Sequence, residues 1–296
     1  MDLKQLNAFL AVADSGSLVA AARRLDLSQP SLSRLIGQLE ADLGSRLFRR
    51  TGRGVVLTEA GELVLDQARS LLDQATALRQ LVAERRGQVN GPLSFGLPPS
   101  IGVYLSGPLI SDYHRRYPQV RLQISEALSG DLQERLLRHQ LELAILYDGA
   151  ISASLSLREL ATESLLLIGG RGAATLAEGE IPFAEASQLP LVLPGLRHGL
   201  RSLLEQYALR ESHRLNLEVE VDSLRVQIDL VRRGIGYTIL PGRTLAALNR
   251  DDALQGIPIV SPMLERRCVL AWRRGHVLSP AALAMREAVD AGFVAL

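Results

Sequence analysis

The stretch 17-SLVAAARRLDLSQPSLSRLIGQLEADLGSRLFRR-50 decides the reading of this chain, because it sets two apolar stripes around a turn and follows them with arginines. Leu18, Ala21, Ala22 and Leu25 recur at helical spacing, and Leu32, Leu35, Ile36 and Leu39 repeat those offsets. Two amphipathic helices are therefore predicted, with their stripes packed on each other. Asp26, Leu27 and Ser28 supply the turn. Ser28 or Gln29 can cap the second helix, and Pro30 suits a first turn, where a missing N–H costs little. At about 100° per residue, the face opposite the second stripe carries Pro30, Ser33, Arg34, Gly37 and Gln38, with Gln29 at the N-terminal tip. These side chains are short or hydrogen-bonding, and none is a carboxylate, as close approach to base edges requires. Arg pairs with guanine, Gln with adenine, and Ser reaches phosphates or bases. A solvated face in an ordinary helical bundle is the competing reading of the same pattern.

Immediately downstream, Arg46, Arg49, Arg50 and Arg53 surround the turn Thr51-Gly52-Arg53-Gly54, and Val55-Val56-Leu57 reads as a short strand. Arginines this close repel one another unless an anion is expected, and phosphate or a minor groove supplies one. Alone, the run would read as a solvated charge cluster. Taken with the helix pair, the segment resembles the winged helix-turn-helix of LysR-type transcriptional regulators. The resemblance rests on Phe9, Ala13, Ser17, Ala20-Ala21, Leu25, Ser28-Gln29-Pro30-Ser31-Leu32-Ser33, Ile36, Leu39-Glu40, Leu43-Gly44, Leu47-Phe48-Arg49-Arg50 and Leu57-Thr58-Glu59-Ala60-Gly61. It implies DNA contacts by Gln29, Pro30, Ser31, Ser33 and Arg34 in the recognition helix and by Arg50 and Arg53 in the wing.

A length of 296 residues suggests about two domains and a sizeable core. Net charge is only +1, yet residues 1–58 hold eight Lys/Arg against five Asp/Glu, so the basicity is confined to one end. The single Cys268 excludes an intramolecular disulfide framework, speaks against a thiolate metal cluster, and fits a cytoplasmic location. No basic start leads into an apolar stretch, and no run of about twenty apolar residues occurs, so neither secretion nor a membrane span is expected. His114, His139, His198, His213 and His276 are widely separated without a paired-ligand motif. With no nucleophile and base pair or phosphate loop in view, the chain is expected to be no enzyme and to need no metal or cofactor. A solute-binding protein for uptake would leave residues 1–90 idle. A DNA-binding architectural protein without a ligand is the nearer alternative, distinguished by a cleft filled with side chains.

From Thr58 to Gln88 there is no proline, and Leu57, Val64, Leu71 and Leu78 fall at intervals of seven, with Ala60, Ala68, Ala75 and Leu81/Val82 between. This heptad seam predicts a dimerising linker helix, unless the stripe packs on its own domain. Glu62, Asp66, Arg69, Asp73, Arg79 and Glu84 would then stay wet. Gly87-Gln88-Val89-Asn90-Gly91-Pro92 is the clearest break in the chain. After it, strands are predicted at 93–97, 120–127 and 141–147 with helices at 101–117 and 132–139, an alternation that implies a parallel sheet. Further strands are expected at 165–169, 191–193, 217–221, 237–240 and 269–272, and helices at 199–209, 224–233 and 280–289. This half resembles the two-lobed, periplasmic-binding-protein-like effector domain of the same family.

The expected fold is thus α+β multidomain. It comprises a winged helix-turn-helix at 1–58, a linker helix at 59–90 and a regulatory domain at 91–296. Lobe one would span about 92–161 and 266–296, lobe two about 162–265, with a hinge near Ala161-Thr162 and Arg266-Arg267. Ligands of open α/β sheets sit beyond the carboxyl ends of strands, where helix N-termini offer free N–H groups to anions. Pro98-Pro99-Ser100-Ile101, Leu128-Ser129-Gly130 and the stretch 194–201 occupy such places. The resemblance matches Ser100 and Ser129 to effector-binding positions; Pro99 and Ile101 flank the first, and Arg197, His198 and Arg201 could add positive charge. Equally, the serines could cap helices and the basic residues lie in solvent. The expected partners are double-stranded promoter DNA, a small organic acid or other anion as co-inducer, and further copies of the chain. The family implies a dimer through the linker helix, a tetramer built from dimers, and RNA polymerase as a further contact at the promoter.

Overall fold

Asp2 opens the first helix: its carboxylate accepts from the Gln5 amide while the Gln5 side chain accepts from the Asp2 amide, a reciprocal capping box. This helix, α1 (Leu3–Ser15), ends at Gly16 in the left-handed region. Ser17 caps α2 (Leu18–Arg24), and Ser28 caps α3 (Gln29–Leu43), whose first turn holds Pro30. Phe9, Ala21, Ala22, Leu32, Ile36, Leu39 and Leu47 bury together between the three helices. The computed structural model describes the whole chain except residues 53, 85–88, 150, 174, 177–178, 250–251 and 295–296, and in the next helix the side chains of 73, 76, 77 and 79–84.

Strands β1 (Phe48–Thr51) and β2 (Gly54–Leu57) form the hairpin wing, with Phe48 opposite Leu57 and Thr51 opposite Gly54. The Val55 amide donates to the Gly16 carbonyl at 2.9 Å. A Cβ on Gly54 would come within 2.5 Å of that same oxygen, at a φ of 138°, so this close approach of the wing to the end of α1 requires glycine. Helix α4 (Glu59–Glu84) then lays Ala60, Val64, Leu65, Ala68 and Leu72 on this core. Packing on its own domain thus takes Ala60, Val64 and Ala68 of the expected seam and leaves Leu71 and Leu78 exposed, together with Leu63. Arg69, expected to be wet, instead lies against Asp14 at 2.8 Å with its side chain largely covered. The expected polar positions Asp73, Arg79 and Glu84, the seam pair Leu81/Val82, and the Gly87-Gln88 part of the break lie outside the described residues and side chains.

The chain divides into two compact units, Met1–Gln88 with Val277–Pro280 and Val89–His276 with Ala281–Leu296. The second begins with β3 (Gly91–Leu97), α5 (Pro99–Arg116), β4 (Val120–Glu126), α6 (Ser129–Leu137) and β5 (Leu143–Tyr147). Strands β4, β3 and β5 are parallel, which is what the alternation implied. The rest of the sheet is not. The long β6 (Leu155–Gly170) leaves lobe one, and β12 (Glu265–Arg273) returns to it, pairing antiparallel with β6 and with β5. A chain that crosses between lobes twice must run in opposite senses, and residue alternation alone carries no sign of that. Beyond Ser164, β6 pairs instead with β10 (Thr238–Pro241) and β11 (Leu254–Val260).

Lobe two also holds β7 (Ile181–Pro182), α7 (Phe183–Ala186), β8 (Leu191–Leu193), α8 (Gly199–Arg210), β9 (Leu217–Glu220), α9 (Leu224–Arg232) and α10 (Gly242–Leu248). Helix α11 (Pro280–Val294) closes the chain. Leu132, Leu136, Leu141 and Val269 belong to a hydrophobic core cluster in lobe one, and Leu167, Phe183, Leu193, Leu204 and Val231 to one in lobe two.

Candidate functional site

On α3 the buried stripe fixes which residues face outward. Gln29, Pro30, Ser31, Arg34, Gly37 and Gln38 are exposed, and Ser33 is half-buried. The Ser28 hydroxyl accepts from the Ser31 amide at 3.3 Å and shares a hydrogen bond with the Ser31 hydroxyl at 2.8 Å, which holds the helix tip in one conformation. Arg34 has no ion pair among the described residues, so its guanidinium is available. A Cβ on Gly37 would meet nothing within 4 Å, so the chain itself does not demand glycine there. Arg49 and Arg50 are exposed along β1. Arg53 lies outside the described residues. Glu40 ties this face to the wing: its carboxylate accepts from the Leu47 amide at 2.8 Å and meets Arg46 at 3.0 Å.

The second site lies between the lobes. The start of α5 and the start of α8 border a cavity of about 20 Å³ that Pro99, Ser100, Pro194, His198 and Arg266 help to line. Ser100 is buried, and its hydroxyl donates to Tyr147 Oη at 3.2 Å. Tyr147 Oη donates in turn to Glu163 Oε2 at 3.1 Å, and Tyr104 Oη donates to Glu163 Oε1 at 3.2 Å. Burial pushes the Glu163 carboxyl up from its ordinary value, against the two tyrosine hydroxyls, Arg243 and Arg266. Both phenols are themselves pushed up, by burial first and by Glu163 next. The Arg266 guanidinium lies 3.6 Å from the centre of the Tyr147 ring. The two lobes are bridged by the Thr244 hydroxyl, which donates to the Ser100 carbonyl at 3.0 Å.

The other expected cleft residues have different surroundings. Ile101 is fully buried in the core of lobe one, and Pro99 is half-buried at the cavity. The Ser129 hydroxyl accepts from the Tyr147 amide at 3.0 Å. Arg197 is exposed. His198 Nδ1 accepts from the Leu200 amide, and burial together with Arg266 lowers the imidazole pKa to about 4. His198 is therefore neutral at pH 7. Arg201 is buried but bonded to Glu205 at 2.6 Å.

Arg266 entered the sequence reading only as part of the hinge. A signal for it existed: neighbouring residues of a strand face opposite sides, so one of the pair Arg266-Arg267 had to turn inward. Arg267 is the outward one, at 2.8 Å from Asp148. Among the described residues no group of His, Cys, Asp and Glu is placed to hold a metal ion, and no helix is long and apolar enough to cross a membrane.

Two family models match the chain. Residues 3–62 match the bacterial regulatory helix-turn-helix protein of the lysR family, and residues 86–293 match the LysR substrate binding domain. The HTH-type transcriptional regulator BbuR of Bordetella bronchiseptica is 34% identical over 240 residues, covering 81% of this chain and 74% of that protein. The nitrogen assimilation regulatory protein nac of Klebsiella aerogenes is 30% identical over 294 residues, covering 97% and 93%. Among solved structures, a full-length OxyR variant from Pseudomonas aeruginosa is similar with a TM-score of 0.78 at 27% identity, covering 99% of this chain and 94% of that one. These relatives regulate transcription and are not enzymes. The chain belongs to the LysR family of DNA-binding transcriptional regulators, with an amino-terminal helix-turn-helix and a carboxyl-terminal effector-binding domain.

Proposed function

We propose that this chain is a cytoplasmic regulator that binds promoter DNA as a dimer, assembled further into a tetramer, and answers to a small organic acid held between its lobes. The observation that carries the DNA half is the outward face of α3, where Gln29 and Arg34 are exposed and Ser33 half-buried, and where Arg34 has no ion pair among the described residues. That face suits the major groove, with Arg50 and Arg53 of the wing on phosphate or minor groove. The exposed Leu71 and Leu78 of α4 supply the seam for a second copy. In the cleft, Ser100 and the helix starts beside it would receive the acid. Ligand would favour one closure of the lobes, change how subunits pack, and so change the spacing or bend imposed on the DNA.

Escherichia coli carries a relative named hydrogen peroxide-inducible genes activator, 28% identical over 291 residues. Thiol chemistry is not the proposed signal in this chain. Its only cysteine, Cys268, is buried in β12, and burial pushes the thiol well up from its ordinary value.

Gel-shift titrations at several salt concentrations test the DNA half. Arg34→Ala is expected to cost about 1–3 kcal/mol and relax preference at one base pair, whereas Arg50→Ala weakens all sequences alike and lowers the salt slope by about 1. Unchanged affinity in both variants would refute the assignment. For the cleft, Ser100→Ala should lose the ligand response in a promoter assay and keep DNA binding.

A further inference from the structure

We propose that Arg266 carries the effector's charge, and that the effector is a small monocarboxylate; this rests on the reading of the cleft given above. Arg266 is 3% exposed, yet among the described residues no carboxylate stands within ion-pair distance of it. Its partner across the strands is Glu163, whose two oxygens are taken by the hydroxyls of Tyr104 and Tyr147. A buried guanidinium with only a ring beneath it is an expensive arrangement unless it serves an anion.

The surroundings of Arg266 sharpen the point. Its Nη2 lies 3.5 Å from where a Cβ on Gly199 would sit, so the guanidinium abuts the first residue of α8. The positive pole of a helix and a fixed cation thus converge on one small space. The amides of Ser100 and Gly199, at the starts of α5 and α8, have no acceptor among the described residues. Planar guanidinium and two free amides together match one carboxylate.

The same walls reject a second one. His198 is neutral at pH 7, Arg201 is bound to Glu205, and Arg197 lies in solvent. Asp222 also lines the cavity with a carboxylate, which disfavours a second negative charge, and it already accepts from the Gly195 amide at 3.0 Å. Leu200, Leu224 and Leu240 face the rest of the cavity and suit a short hydrocarbon body. At about 20 Å³ the cavity holds about one water, so the acid enters by parting the lobes.

The test is thermal-shift and calorimetric titration of the full chain at pH 7.5 with propionate, benzoate, succinate and propionamide. Propionate and benzoate are expected to stabilise the protein saturably, succinate about tenfold more weakly, and propionamide not at all. Arg266→Met should weaken the monocarboxylates by about a hundredfold, keep operator binding, and raise the ligand-free Tm, because an unpaired buried charge is gone. Arg266→Lys should fall between. A lower ligand-free Tm in Arg266→Met would make the arginine a structural piece and overturn the proposal. If succinate or propionamide acts equally on wild type and Arg266→Met, the effector cleft stands and the role of Arg266 falls. If no probe stabilises the protein and operator binding is indifferent to all of them, both fall.

Discussion

Glu40 sits on a helix that otherwise turns polar groups to solvent, yet it is only 8% exposed. Its carboxylate collects the Leu47 and Phe48 amides at 2.8 and 3.3 Å and fastens α3 to the wing. Glu40→Ala leaves those amides unmet, and unmet buried amides cost about 1–3 kcal/mol. Denaturant unfolding should show that loss; an unchanged midpoint would contradict the role. His198 makes a second prediction. Its pKa drops from 6.5 to about 4 on folding, through burial and the nearby Arg266. Between those values the unfolded chain takes up a proton that the folded chain refuses, so stability is complete above pH 6.5 and declines as pH falls towards 4. His198→Asn keeps a capping side chain without the titration, and its Tm should decline less steeply over that window; parallel curves would contradict the assignment. The sequence offered Arg197, His198 and Arg201 as the positive charge of the cleft. Arg201 and Glu205 are four apart on a helix, so their pairing was readable. That one of Arg266 and Arg267 turns inward was readable too, but not which one, because that follows from the register of β12 against β6, which brings Arg266 opposite Glu163.

Helices α2 and α3 were legible because the Ser28 cap, apolar period and turn residues agree there, whereas α1 was reached only through the family resemblance. Ser17 and Ser28 cap, Gly16 and Gly44 stop, and the stripes fall on one side. Legibility failed where those signals conflict. The first part of β6 carries Arg158, Glu159 and Glu163 and has no place among the expected strands, although pairing with β12 makes it one. Strand β11 holds Gly256 and Pro258, and neither favours a strand on propensity. Helix α10 starts behind Pro241 with only seven residues, too short for a periodic stripe to show. Helix α4 was legible as a helix but not in its allegiance, since Val64 and Ala68 pack at home while Leu71 and Leu78 stay uncovered at 40% and 65% exposure. Leu71→Glu with Leu78→Glu should therefore turn a dimer into a folded monomer by sedimentation, with helix content unchanged. A double variant that still sediments as wild type would remove the seam from the interface.

Across the molecule, one unit carries the helix-turn-helix and the other carries two lobes that β6 and β12 join. In the proposed function the DNA face keeps its shape while the cleft closes, and the coupling would be a shift in population. The parallel strands were legible from the alternation of strands and helices, and the two lobes only through the family resemblance; the antiparallel crossing strands were not, since direction leaves no trace in composition. A regulator that uses a paired helix to read DNA must protect its operator in pairs. Footprinting on a genomic fragment chosen against random competitor measures this directly. Two protected half-sites, with centres separated by a whole number of turns of about 10.5 bp and lost together in Arg34→Ala, are the expected result. A monomeric protein with no preference for any fragment over the competitor would contradict it.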